Sequence, residues 1–338
     1  MKKIILLLLI GTAFSCKNMQ SAASKDNSDP TKYIKSISEK DLKKMLYVVA
    51  SDEMEGRETG SKGQKKAGLY MIEQYKKSGI SFPKGATDYY QHIPAAFLNA
   101  RRNENLPDSE NIWAYIEGSE KPDEVLVISA HYDHVGIQKG EIYNGADDDG
   151  SGTVAVIEMA KAFAKAKKQG HGPKRSILFL HVTGEEHGLH GSRYYSENPL
   201  FPIANTITDI NIDMIGRRDV EHAQTNNYVY VIGADRLSSD LHNIVVAQNE
   251  KYTKIDLDFK YNDPKDPNHF YERSDHYNFA KHGIPSVFFF NGVHEDYHGK
   301  GDEPEKIEYD ALTKRTKLAF SIAWELANRE NRPVVDKK

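Results

Sequence analysis

Short apolar runs alternate with amphipathic stretches along most of this chain. SEKDLKKMLYVVASDEM opens with Ser38 and Asp41 at capping-box spacing and then turns apolar at a helical period, which predicts a helix. GQKKAGLYMIEQYKKSG predicts a second amphipathic helix, stopped by Gly79. Residues 80–115 show no clear period until NIWAYIEG, which alternates like a strand. A rhythm then sets in. VLVISA, SILFLHVT, ITDINIDMIG, YVYVIGA and IPSVFFF are apolar runs of strand length. TVAVIEMAKAFAKAKK, RLSSDLHNIVVAQNEKY and ALTKRTKLAFSIAWELANRE between and after them are helical. Buried strands alternating with helices predict an α/β sandwich on a mostly parallel sheet.

The first residues follow another pattern. Lys2 and Lys3 precede IILLLLI, and small residues lead to Cys16, the only cysteine. The apolar run is too short to span a membrane and is expected to be a signal peptide over residues 1–15. A lone Cys16 at that point suggests a bacterial lipoprotein, acylated on its thiol and held at a periplasmic or cell-surface membrane face, with ordinary secretion as the alternative. The polar stretch 16–32 reads as a tether, residues 33–330 as a single domain, and 331–338 as a polar tail. The 338 residues carry a formal charge of −4. Loss of Lys2 and Lys3 with residues 1–15 makes it −6. No basic block supports nucleic-acid binding.

Sites in open α/β sheets form beyond the carboxyl ends of strands. VLVISA is followed by HYDH (131–134), with the turn NGADDDGSG (144–152) next. SILFLHVT is followed by GEEHG (184–188). DINIDMIG carries Asp213, and IPSVFFF is followed by HEDYH. His131 and Asp133 face the same way in extended backbone, so the carboxylate can hold the imidazole ring. Three adjacent acids in ADDDGSG need a cation or solvent to screen them. Glu185 and Glu186 diverge at a strand end, so one can hold a metal while the other moves protons. Asp213 in an apolar run must be paired or bound to metal.

HEDYH spells H-E-x-x-H, the helical zinc signature. Gly292, Gly299, Gly301 and Pro304 around it oppose a helix. We therefore read it as a loop in which one or both histidines are ligands.

AHYDHVG, NGADDDGSG, GEEHGLHGSRYY, NIDMIG, SDHYNFAKHGIPSVFF and DYHGKGDEP, in this order, resemble the dizinc aminopeptidases of clan MH metallopeptidase family 28, the bacterial leucyl aminopeptidase type. The resemblance runs from about residue 38 to 328. It implies a three-layer sandwich with a central mostly parallel mixed sheet, the zinc-dependent exopeptidase fold. It also implies two Zn2+ per chain: His131, Asp148 and Asp213 on one, and Glu186, Asp148 and His298 on the other, with Asp148 bridging. Glu185 would be the general base and Asp133 the acid behind His131. A tyrosine would stabilise the tetrahedral intermediate, and Tyr297 and Tyr271 both fit placements seen in the family. The substrates implied are peptides with a free N-terminus. His294 and Glu295 would be structural. Glutaminyl cyclases share most of these ligands but typically have Trp before the last His and an A-T-D-S turn, where this chain has Tyr297 and ADDDGSG. A zinc-dependent binding lipoprotein without turnover is a third reading, against which Glu185 argues.

Overall fold

The computed structural model describes residues 29–102 and 104–337. The expected signal peptide, Cys16 and the tether up to residue 28 lie outside the described residues. The tether was expected to reach residue 32, but helix α1 (Thr31–Ile34) begins within it. Tyr33 is buried there and stacks on Trp324 at 5.2 Å between ring centroids.

Among the described residues, eight strands form one mixed sheet in the order β1-β2-β6-β3-β7-β10-β8-β9. They are β1 (Tyr90–Ile93), β2 (Ser109–Ile116), β3 (Lys121–His131), β6 (Arg175–Val182), β7 (Thr206–Ile212), β8 (Tyr228–Ile232), β9 (Asp256–Asp258) and β10 (Ser286–Phe290). A separate hairpin pairs β4 (Ile137–Gln138) with β5 (Glu141–Ile142). The central neighbours β6, β3, β7 and β10 run parallel, while β1, β2 and β8 meet their inner neighbours antiparallel. The expected α/β architecture is therefore present, with antiparallel strands toward the edges.

Alternation along β3 assigns the two faces of the sheet. Leu126, Ile128 and Ala130 join the larger core, whereas Val125 and Val127 join a second cluster with Tyr195 and Phe279. The first face is covered by α1, α2 (Glu39–Val49), α3 (Lys62–Ser78), α5 (Gly152–Lys168), α7 (Ser239–Tyr252) and α9 (Tyr309–Asn328). The second carries α6 (His190–Glu197) and α8 (His276–Ala280), and a further turn, α4 (Ala95–Leu98), lies near β1. On the first face Phe163 packs on Phe320 and Trp324 at 4.7 and 5.7 Å. Burying one such side chain stabilises the fold by about 1.5–3 kcal/mol.

Local signals behave as their chemistry requires. The Ser38 hydroxyl accepts from the Asp41 N–H and caps α2, and Gly79 ends α3 in the left-handed conformation. α2 is shorter than its apolar pattern. It stops at Val49 and a 3₁₀ segment, Asp52–Arg57, follows. Gly56, at φ 67°, is required in that segment. A Cβ there would lie 2.5 Å from the carbonyl oxygens of both Gly136 and Tyr143. The expected polar tail is tied down over its described part. Asp336 accepts from the Ser239 N–H, and Arg332 pairs with Glu124. No helix among the described residues is long and apolar enough to cross a membrane.

Candidate metal centre

The carboxyl ends of the four central strands converge. β3 ends on His131, β6 leads through Thr183 and Gly184 to Glu185 and Glu186, β7 leads to Asp213, and β10 leads into the HEDYH loop. His131, Asp148, Asp213 and Glu186 come together there, and His298 reaches the same cluster from the last loop.

His131 Nε2 lies 3.1 Å from Asp148 Oδ1 and 3.5 Å from Asp213 Oδ1. His298 Nε2 lies 3.1 Å from Asp148 Oδ2 and 3.0 Å from Glu186 Oε2. Donors bound at about 2.0–2.2 Å to a tetrahedral ion sit roughly 3.3–3.6 Å apart. The four spacings, 3.0–3.5 Å, lie within about 0.3 Å of that edge. His131 Nε2 and Asp148 Oδ2 are buried and lack hydrogen-bond partners. Unpartnered buried donors at ligand spacing fit a divalent cation in each cluster.

The three acids of ADDDGSG do different work. Asp147 Oδ1 accepts from the Gly216 N–H at 2.6 Å, and Asp149 Oδ1 accepts from Gly152 and Met214 at 2.8 and 3.2 Å. These two bind the turn to the loop after β7. Asp302 receives the Asp147 and Asp148 N–H groups at 3.0 Å. Only Asp148 turns its carboxylate to both His131 and His298. The like charges are separated by assignment to backbone donors rather than by exposure to solvent, since all three acids are buried.

Protonation follows from this crowding. Burial pushes the Glu185 carboxyl well above its usual range; Glu186 and Asp213 add to the rise and His131 opposes it. Burial also works against the Asp148 charge, but the His131 and His298 imidazoles beside it hold it well below the ordinary value. Burial lowers the basicity of His298, yet Asp148 and Glu186 outweigh it and raise its pKa to about 10.

Several expected residues take more particular positions. The His131 ring meets the Asp133 main-chain carbonyl, 3.1 Å from Nδ1, whereas the Asp133 carboxylate is 3.8 Å away. That carboxylate accepts instead from the Thr59 hydroxyl and the Glu185 N–H. Tyr297 lines the cavity with His131, Asp148, Glu185 and Asp213, and stacks on His298 at 3.9 Å. Tyr271 lies against the Arg236 guanidinium at 4.5 Å and lines a different surface cavity. HEDYH is a series of turns, not a helix, so its histidines separate. His294 Nε2 faces Asp147 Oδ2 at 3.2 Å, while His298 faces Asp148 and Glu186.

Other residues of the site escaped the sequence reading. Ser274 donates to Asp213 Oδ2 at 2.6 Å and accepts from Asn211. His134 bonds Glu186. Arg57 is buried beneath both ligand loops. His134 and Ser274 stood inside quoted motifs, HYDH and SDH, and their nearness to expected ligands was the available signal. Arg57 carried none.

Residues 111–323 match the model of Peptidase family M28. The chain belongs to this family. It is 25% identical over 271 residues to a probable zinc metalloprotease of Pyrenophora tritici-repentis, covering 66% of this chain and 52% of that one. It is 30% identical over 228 residues to a probable leucine aminopeptidase of Trichophyton verrucosum, with 64% and 57% covered. The chain thus spans about half the length of the curated relatives it matches. The LapA aminopeptidase of Legionella pneumophila shares its fold at a TM-score of 0.68 and 20% identity, over 91% of this chain and 77% of that one. The glutaminyl cyclase of Porphyromonas gingivalis shares it at 0.63 and 16%, over 85% and 97%.

Proposed function

We propose that this M28 protein is a zinc aminopeptidase with a dinuclear centre and Glu185 as its general base. The observation that carries the reading is Asp148. Its two oxygens each lie 3.1 Å from a different imidazole, so one carboxylate serves two donor clusters. One cluster is His131, Asp148 and Asp213; the other is Asp148, Glu186 and His298. Mixed imidazole and carboxylate donors suit zinc, with cobalt or manganese as substitutes. Bound in these clusters, zinc would supply a Lewis acid for the scissile carbonyl and lower the pKa of water.

The remaining work falls to the chain. Glu185 takes the proton of the attacking water on its carboxylate and passes it to the leaving amine nitrogen. Its carboxyl, raised by burial, takes up that proton more readily than it would if held low by a partner. Asp133 fixes the base through the Glu185 N–H. Tyr297 donates its hydroxyl hydrogen to the substrate carbonyl oxygen as charge develops there. Burial, with Asp148 and Glu186 nearby, raises the Tyr297 pKa and keeps that hydrogen in place. Met214, Phe270, Phe288, Phe290 and Val293 form an apolar wall beside these groups, which favours large apolar N-terminal residues. The substrate's free amine faces the acidic cluster, which directs cleavage to N-termini.

The test is a panel of aminoacyl chromogenic substrates, free and N-acetylated, with and without chelator. Hydrolysis of free leucyl and phenylalanyl substrates, lost on chelation and restored by zinc, is expected. Cleavage of acetylated substrates contradicts the aminopeptidase reading. A glutaminyl peptide in the panel separates hydrolysis, which frees glutamine, from cyclisation to pyroglutamate. We also propose export and lipid attachment at Cys16, from the leader pattern alone. Radiolabelled palmitate incorporation abolished by Cys16→Ala tests it.

A further inference from the structure

His134 completes HYDH but belongs to neither expected ligand set. It is fully buried. Its Nδ1 lies 2.9 Å from Glu186 Oε1, an oxygen that can only accept, so Nδ1–H donates. Its Nε2 has no partner. The ring is confined on several sides. A Cβ on Gly145 would stand 2.4 Å from its Cγ, and Gly145 lies at φ 55°. The His134 N–H donates to the Arg57 carbonyl at 3.2 Å. The ring meets His298 edge-on at 5.9 Å.

Glu186 thus has two imidazoles on two oxygens. His298 faces Oε2 at 3.0 Å and His134 faces Oε1. His298 is also 3.1 Å from Asp148 Oδ2, whereas His134 Nδ1 is 3.9 Å from that atom. His134, Asp148 and Glu186 also place ligand atoms within 4.8 Å of one another, but His298 is the nearer imidazole to Asp148 Oδ2 and meets Glu186 through Oε2. We propose that His134 is a positioning residue that fixes the Glu186 carboxylate by a hydrogen bond to Oε1, so that Oε2 is presented to a metal ion. This rests on the dinuclear reading above. Outer partners of this kind typically change metal affinity by about 10–100-fold.

Zinc affinity of the purified full chain, by competition with a chromophoric chelator, tests this alongside the absorption spectrum of the cobalt-loaded protein. Asn places its amide nitrogen near the position of Nδ1, and Gln places its own near Nε2. His134→Asn is therefore expected to hold its weaker-bound zinc within about threefold of the wild type. His134→Ala and His134→Gln should weaken it by about 10–100-fold and shift the cobalt bands, while still reaching two zincs at saturation. Circular dichroism of each chelated variant checks the fold, and His134→Asn carries the test if His134→Ala does not fold. Equal affinity in His134→Ala and wild type overturns the proposal. So does His134→Asn weakened as far as His134→Ala. A variant that saturates at one zinc makes His134 a ligand instead. A wild type that binds fewer than two zincs fails at the first titration and overturns the dinuclear reading itself.

Discussion

Replacing Arg57 with Met should cost this protein a large part of its stability. The guanidinium is fully buried and donates to four carbonyls: Tyr132 at 2.8 Å, Val49 at 2.9 Å, Asn144 at 2.6 Å and Gly145 at 2.9 Å. Tyr132 follows the candidate ligand His131, and Asn144 and Gly145 begin the turn that carries Asp148. One side chain therefore ties both ligand loops to the end of α2. Methionine fills similar space and donates nothing. Each carbonyl left without a donor costs about 1–3 kcal/mol. Returning the cation to water offsets several kcal/mol of that, and breaking a buried charged arrangement typically nets about 3–5 kcal/mol. At about 2–4 °C per kcal/mol for a domain of this size, the melting temperature should fall by roughly 6–20 °C. Lysine keeps the charge but not the fork, so Arg57→Lys should lie between the two. Thermal melts of the chelated proteins, backed by urea midpoints, read the effect. A fall under about 3 °C for Arg57→Met, or a lysine variant as stable as wild type, refutes the clamp.

Glu185→Gln should keep two bound zincs and lose about 10²–10⁴-fold in kcat, and unchanged turnover sinks its role as base. Tyr297→Phe should lower kcat by about 10²-fold, the usual effect of deleting one oxyanion donor, while Tyr271→Phe changes it less than about threefold; the reverse order would move the role to Tyr271. His294→Ala should leave zinc content near two per chain, because its Nε2 meets Asp147 rather than Asp148 or Glu186; loss of one equivalent restores it as a ligand. His187 lies between Glu104 and Glu58 at 2.6 and 2.8 Å. Burial lowers its pKa, but Glu58, Asp133 and Glu104 raise it to about 9. A histidine raised in the folded state stabilises fully below its unfolded pKa of about 6.5, and that contribution fades as pH rises through about 9. Chelated wild type should lose more stability than His187→Gln between pH 6.5 and 9.5 in urea titrations, and equal losses would exclude the clasp.

The sequence exposed those parts of the fold that repeat a short-range rule. Runs such as VLVISA and SILFLHVT are mostly apolar because both faces of β3 and β6 are covered, so they stood out against the helices. Ser38 and Gly79 announced helix ends because capping chemistry is local. The short strands β1 and β9 and the helices α6 and α8 were not legible. Their burial depends on partners far along the chain, as in Gln91 of β1, whose amide reaches the Asn198 carbonyl. The same division holds in the site. Residues that follow a strand end were visible as His, Asp or Glu at a suggestive place. Those acting at a distance were not: Arg57 reads as one more surface charge, and Thr59 as one more loop hydroxyl.

What links the two groups is the backbone. In this site several polar side chains besides the candidate ligands bind main-chain atoms. Asp302 holds the N–H groups of Asp147 and Asp148, Asp147 holds Gly216, Asp149 holds Met214, and Arg57 holds four carbonyls. Main-chain groups carry no residue signature, so such a frame leaves little pattern in sequence. Its physical effect is nonetheless specific. Asp147 and Asp149 are committed to the loop after β7, which leaves Asp148 the one acid of its turn placed between two imidazoles. The same logic separates His298 from His294. With Asp147 held by Gly216 and facing His294, and Asp148 facing His298, a motif that spells a helical zinc site is divided between a supporting contact and a donor cluster. The proposed base, Glu185 rather than Glu295, lines the cavity with His131, Asp148 and Asp213.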